Sequence, residues 1–96
     1  MKIKLDSVIT VQEEFDVDYN KIYSYLIQCE KFGIQLLDVY YEGYEKSIAS
    51  GHINIITNVV DLDVEPSLFK TDEEISNFKY LLEKGIEKRE ITLKEK

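Results

Sequence analysis

Apolar and polar residues alternate with a period of two over residues 2–17. Ile3, Leu5 and Phe15 occupy odd positions, while most even positions are charged or polar. A period of two places alternate side chains on opposite faces of a strand. We therefore predict one long strand, or two short strands with a bend near Glu13.

The period becomes that of a helix at Tyr19. Apolar side chains recur at helical spacing on one stripe, formed by Tyr19, Ile22, Tyr23, Leu26 and Ile27. Asp18 is a suitable N-cap, because its carboxylate accepts hydrogen bonds from the amides of the first turn. Gly33 suits the left-handed position that ends many helices. This pattern predicts a helix over residues 19–32.

Strand-like alternation returns after Gly33. It predicts an inward set, Leu37, Val39 and Tyr41, and an outward set, Asp38, Tyr40 and Glu42. The following segment, EGYEK, contains Tyr44 and has the glycine and the length of a hairpin loop.

Apolar residues continue the strand pattern from Ile48 to Val64. The run forms either one long bent strand or two shorter strands, and Pro66 ends it because proline has no amide hydrogen. One side of this stretch is predicted to hold Ile53, Ile55, Thr57 and Val59. In the segment DLDVE, the acids Asp61, Asp63 and Glu65 share one face and Leu62 and Val64 share the other.

The last helix is predicted to begin at Thr71. The segment TDEE is a capping box, with Thr71 as the N-cap and Glu74 at the third helical position. The predicted buried stripe comprises Ile75, Phe78, Leu82 and Ile86. Gly85 is expected to end the helix, and REITL to form a final edge strand.

These elements follow the order β-α-β-β-α-β in a single domain of 96 residues. We predict an α+β fold in which two helices, near 19–32 and 71–85, pack on one face of an antiparallel sheet. This is the order of a ferredoxin-like sandwich. Other α+β meanders with helices at the same places are the alternatives.

Charge limits the classes of partner. The chain has 19 acidic and 12 basic residues and a net charge of −7. Such a field repels nucleic acid phosphates and anionic lipid surfaces. No run approaches the ~20 apolar residues that a membrane span needs. We expect a soluble, cytoplasmic protein that contacts neither nucleic acid nor membrane directly.

The only histidine, His52, lies two places after Ser50. On a strand both side chains would point the same way. A catalytic triad also needs an orienting carboxylate and an oxyanion hole, and the segment SGHINII marks neither. We interpret Gly51 as a bulge or turn and His52 as a strand residue near a sheet edge. The sequence predicts no enzyme.

Metal-binding patterns are incomplete. The acids of DLDVE stand ~6.5–7 Å apart on an extended strand, whereas calcium loops curl around the ion. The segment DVDYNK begins like an EF-hand loop, but Lys21 replaces its glycine and Ile27 replaces its glutamate. Cys29 is the only cysteine, which excludes an internal disulfide and cysteine-based metal clusters. We expect no metal and no cofactor.

Tyrosines and acids supply candidate contact surfaces. The chain has seven tyrosines, of which Tyr40, Tyr41 and Tyr44 cluster around the predicted hairpin loop. Tyrosine provides rigid contact area at interfaces, although it also fits any half-buried sheet. The candidate binding residues are Asp38, Tyr40, Glu42, Tyr44, Asp61, Asp63 and Glu65.

The favoured hypothesis is a small, acidic, non-enzymatic protein-binding module. It would dock on a basic surface of a larger protein, as inhibitors and DNA mimics do. The composition is similar in style to that of small acidic proteins of phages and mobile elements, although no motif carries this comparison. The alternative is a structural or assembly subunit that forms a homo-oligomer through a sheet edge or a helix face.

Overall fold

Strands dominate the part of the chain that the structure describes. The structure is a computed structural model that describes residues 1–6, 12–28 and 33–95. Its elements are β1 (Lys2–Asp6), β2 (Gln12–Asp16), β3 (Ile22–Gln28), β4 (Ile34–Tyr41), β5 (Ala49–Asn54), β6 (Val59–Val64), α1 (Asp72–Glu87) and β7 (Thr92–Glu95). Short 3-10 turns, Tyr19–Lys21 and Pro66–Leu68, precede β3 and α1. Within the described ranges, no helix is long and apolar enough to cross a membrane.

Five of the strands form one mixed sheet in the order β6-β5-β4-β3-β7. Strands β3 to β6 pair antiparallel with their neighbours, while β7 pairs parallel to β3. Strands β1 and β2 pair with each other as a separate antiparallel sheet. The predicted α+β class is confirmed, but the sheet is mixed rather than purely antiparallel.

One face of the five-stranded sheet carries the hydrophobic core. Its inward side chains on β4 and β6 are buried in the predicted alternation and include Leu37, Val39, Tyr41, Leu62 and Val64. Helix α1 covers this face with the buried side chains of Phe78, Leu82 and Ile86. Strand β1 adds Ile3 and Leu5 to the same core. The opposite face of the sheet is turned away from α1.

The helix predicted over residues 19–32 is wrong where the structure describes it. Asp18 does cap a turn, since its carboxylate accepts a hydrogen bond from the Asn20 amide at 3.0 Å. That turn ends at Lys21, and β3 begins at the next residue. Residues 29–32, which include Cys29, lie outside the described part of the chain.

The apolar stripe of the predicted helix also fits a strand. Ile22 and Ser24 are buried, whereas Tyr23, Tyr25 and Ile27 lie on the other face and are half-buried. Aromatic and β-branched residues favour such a pleated surface. Pairing of β3 with β4 on one side and β7 on the other fixes the segment as a strand.

The ferredoxin-like order is not confirmed. The described elements run β-β-β-β-β-β-α-β, with one α-helix on the core face instead of two. Of the two possibilities predicted over residues 2–17, the structure has two short strands, which pair with each other; β2 runs through Glu13, and residues 7–11 lie outside the described ranges. The predicted hairpin loop at EGYEK is present, since β4 ends at Tyr41 and β5 begins at Ala49.

The stretch from Ile48 to Val64 contains two strands rather than one. Strands β5 and β6 are joined by a four-residue turn at residues 55–58. The turn interrupts the alternation, so Ile55 and Val59 are exposed and do not align with the buried Ile53.

Helix α1 begins where the sequence predicts. The Thr71 hydroxyl accepts a hydrogen bond from the Glu74 amide at 3.2 Å and donates one to the Glu74 carboxylate at 3.1 Å. The helix continues past Gly85 to Glu87, so the predicted end is wrong. A Cβ at Gly85 would lie 2.8 Å from the Ile91 side chain, which shows that this glycine serves close packing. The segment REITL does lead into an edge strand, β7.

Helix α1 also covers the outer edge of β6. The Glu83 carboxylate accepts a hydrogen bond from the Leu62 amide at 2.8 Å. The Lys79 ammonium donates to the Leu62 carbonyl and, at 2.9 Å each, to the carboxylates of Asp61 and Glu83. An edge strand otherwise presents such groups to another chain. Both backbone groups of Leu62 are therefore satisfied by the helix.

Candidate functional site

The sheet face opposite α1 displays many of the polar and aromatic residues of the strands. We call this surface the open face, because each of its side chains is at least partly exposed. Its members are Tyr23, Tyr25, Ile27, Leu36, Asp38, Tyr40, Ser50, His52, Val59, Asp61, Asp63, Thr92 and Lys94.

Strand register arranges the open face in rows across the sheet. One row comprises Lys94, Tyr25, Asp38, Ser50 and Asp63. Neighbouring strands are ~4.8 Å apart, so residues two strands apart in a row, such as Asp38 and Asp63, stand roughly 10 Å apart. The face is aromatic towards β3 and acidic towards β6.

Three tyrosine rings meet at the aromatic end. Tyr23 and Tyr40 are stacked, with ring centroids 5.8 Å apart and planes 17° apart. The Tyr25 ring stands edge-on to both, at 5.7 Å from Tyr23 and 5.6 Å from Tyr40. The Lys94 ammonium lies 4.3 Å from the centre of the Tyr23 ring. Stacked and edge-on pairs are the favoured arrangements of aromatic quadrupoles.

A hydrogen bond connects this cluster to a carboxylate. The Tyr40 hydroxyl donates to Asp38 Oδ2 at 2.9 Å. This bond is the main cause of a raised pKa at Tyr40, because the carboxylate favours the protonated hydroxyl. The ring of Tyr40 is therefore held in one orientation from both its face and its hydroxyl.

The acidic end carries Asp61 and Asp63 on β6, and both are exposed. The hydrogen bond from Lys79 and the charge of its ammonium hold the pKa of Asp61 below its ordinary value. Glu83, followed by Asp61, raises the pKa of Lys79. Asp61 therefore forms an ion pair with Lys79 of α1, whereas Asp63 lies exposed on the same strand face.

The structure brings together four of the seven residues that the sequence singled out. Asp38, Tyr40, Asp61 and Asp63 lie on the open face. The other three are placed elsewhere.

Glu42, Tyr44 and Glu65 lie in connecting segments. Glu42 is exposed in the turn after β4, and its amide donates to the Lys21 carbonyl at 2.9 Å. Tyr44 packs against the hydrophobic core. The Glu65 carboxylate accepts a hydrogen bond from the Ser67 amide at 3.3 Å and so caps the 3-10 turn.

Ser50 and His52 lie side by side on the open face of β5, which is an interior strand rather than an edge. The residue opposite His52 on β6 is Asp61. A triad requires the carboxylate to orient the imidazole by a hydrogen bond. Here Oδ1 of that carboxylate accepts a hydrogen bond from the Lys79 ammonium at 2.9 Å.

Gly51 is neither a bulge nor a turn, which corrects the interpretation from sequence. Strand register runs evenly through the pair of Gly51 and Leu62. A Cβ at Gly51 would collide with the carbonyl oxygen of Asp61. Glycine is required there because the backbones of β5 and β6 approach closely.

Sequence reasoning missed Tyr23, Tyr25 and Lys94. The two tyrosines were assigned to a helix, where Tyr23 would have faced the core. The available signal was the alternation of residues 22–27, and Ser24 at an inward position obscured it. Lys94 joins the cluster only because β7 pairs with β3 across a long sequence separation.

Among the residues that the structure describes, no group of three or more histidines, cysteines or acids is arranged to hold a metal ion. No protein-family model, curated protein or solved structure matches this chain.

Proposed function

We propose that the protein is a small, non-enzymatic binding module that docks through its open face on a basic surface of a larger protein and blocks it. The observation that supports this proposal is the composition of the open face. Three tyrosine rings and three aspartates lie on the side of the sheet that does not hold the core. None of the six belongs to the hydrophobic core, and of the three aspartates Asp61 forms an ion pair with Lys79 of α1.

The open face has the chemical features of a binding surface. Tyrosines are enriched among the residues that dominate interface energies. Apolar area is present beside them, since Leu36 is 45% exposed and Val59 is 58% exposed. The net charge of −7 would accelerate encounter with a cationic partner.

Charge reversal at Asp63 tests the proposal. The Asp63→Lys variant is expected to lose the partner that the wild-type chain captures from a lysate of the source organism. The matched control is Glu45→Lys, the same charge change at an exposed position of the hairpin loop, outside the open face. With the partner purified, stopped-flow measurements should show slower association and a weaker dependence on salt for Asp63→Lys. Equal capture by both variants would place the interface elsewhere.

We also propose self-association as the alternative function, favoured by the solvent side of α1. Tyr80 is 60% exposed and Leu81 is 38% exposed, and they line a groove together with Tyr19. Sedimentation velocity over a wide concentration range is expected to show a dimer if this surface pairs copies of the chain. A monomer at every concentration would remove the alternative.

A further inference from the structure

The tyrosine cluster on the open face presents aromatic rings next to a lysine. The face of an aromatic ring carries negative potential and attracts ammonium or guanidinium groups. Rings of Tyr23, Tyr25 and Tyr40 meet within 6 Å of one another. A cation can therefore lie over a ring face of this cluster.

The chain's own Lys94 already demonstrates this property. Its ammonium lies 4.3 Å from the centre of the Tyr23 ring, well inside the ~6 Å range of a cation–π contact. Lys94 is itself exposed and extends from the edge strand β7. Its ammonium can leave the ring for solvent without disturbing the core.

A counter-ion stands beside the rings. Tyr40 engages Oδ2 of Asp38, while a carboxylate offers about four acceptor positions in all. Asp38 therefore keeps capacity for hydrogen bonds from an incoming cationic group. Its position next to Tyr25 in the strand register places that capacity at the rim of the cluster.

Arginine fits this combination better than other cations. Its planar guanidinium stacks on an aromatic face and can donate two parallel hydrogen bonds to one carboxylate at the same time. An ammonium is a compact, strongly hydrated charge and cannot do both. Nucleic acid bases also stack on aromatic rings, but the surrounding aspartates and the net charge of −7 repel phosphate.

We propose that the cluster of Tyr23, Tyr25 and Tyr40, with Asp38 as counter-ion, binds an arginine side chain of the partner, and that Lys94 occupies this site until the partner displaces it. This inference rests on the proposed function and specifies the group that the open face recognises. It predicts discrimination between two peptides of equal charge.

The experiment compares hexa-arginine with hexa-lysine by NMR titration at physiological salt. Hexa-arginine is expected to bind about fivefold more tightly or better, and its side-chain protons should shift upfield over the tyrosine rings. Lys94→Met should strengthen binding of hexa-arginine about threefold, because a competing cation is removed.

Substitutions test which side chains bind hexa-arginine. Tyr40→Leu and Asp38→Asn should each weaken hexa-arginine binding by about fivefold. Glu45→Gln, a charge loss like Asp38→Asn at an exposed position of the hairpin loop, should leave it unchanged. Amide spectra check that each variant is folded. Tyr40→Phe keeps the aromatic ring and should bind hexa-arginine better than Tyr40→Leu.

The outcomes separate this inference from the proposed function. Equal binding of the two peptides, unaffected by Tyr40→Leu, would overturn the arginine receptor. Loss of partner capture by Asp63→Lys would still support the binding module in that case. Peptide discrimination with unchanged capture by Asp63→Lys would uphold the receptor and reject docking through the acidic end.

Discussion

Replacement of Ile22 by aspartate is expected to abolish the folded state. Ile22 is 2% exposed in β3, and its side chain belongs to the hydrophobic core. An unpaired carboxylate in such a position costs several kcal/mol, against a total stability of about 5–15 kcal/mol for a domain. Circular dichroism should show no cooperative thermal transition.

The same substitution at Ile27 is the matched control. Both isoleucines lie on the stripe that predicts a helix, so a helix would bury both. In β3 they point to opposite faces, and Ile27 is half-buried on the open face. Ile27→Asp is therefore expected to lower the free energy of unfolding by only about 1 kcal/mol. Equal loss of stability in the two variants would support the predicted helix and contradict the assignment of β3.

Residues 22–27 show why this segment could not be assigned from sequence. Its apolar positions satisfy a period of two and a period of 3.6 together. Ser24 occupies an inward position and is fully buried, and its hydroxyl donates to the Asp38 carbonyl of β4 at 3.3 Å. From sequence alone, a buried polar residue whose hydrogen-bond partner lies on a neighbouring strand cannot be distinguished from a solvent-exposed one.

Elements with local signals were predictable. Thr71 and Glu74 mark the start of α1 by their own hydrogen bonds, and alternation over residues 37–41 and 60–64 marks β4 and β6. The end of α1 was not predictable, because Gly85 is kept by contact with Ile91. That contact depends on the return of the chain after the helix.

The candidate site likewise has features that the sequence predicts and features that depend on contacts between distant segments. Asp38, Tyr40 and Asp63 were found because their own strands alternate clearly. Their alignment in rows is a matter of register between strands, and single-sequence patterns do not contain it. The ion pair between Asp61 and Lys79 likewise depends on how α1 crosses β6.

The edge of β6 bears on the two proposed functions in opposite ways. A sheet edge is a template for pairing with another chain, so self-association through the sheet would need an available edge. The side chains of Lys79 and Glu83 hold the backbone groups of Leu62 at this edge. This arrangement disfavours assembly through the β6 edge.

Removal of the Glu83 carboxylate should expose that edge. Glu83→Leu leaves the Leu62 amide without its acceptor, so we expect the free energy of unfolding to fall by about 1–3 kcal/mol. We also expect association that grows with protein concentration, because the freed edge can pair with a second copy. Denaturant unfolding and sedimentation velocity measure the two effects.

Glu87→Leu is the control on the same helix. Glu87 pairs with Lys84 at 3.1 Å, and its carboxylate makes no bond to the backbone of β6. Loss of this partly exposed pair is expected to cost less than about 1 kcal/mol and to leave the chain in its original association state. If Glu83→Leu behaved like Glu87→Leu in both measurements, the helix would not protect the β6 edge, and assembly through that edge would return as a function of the wild-type protein.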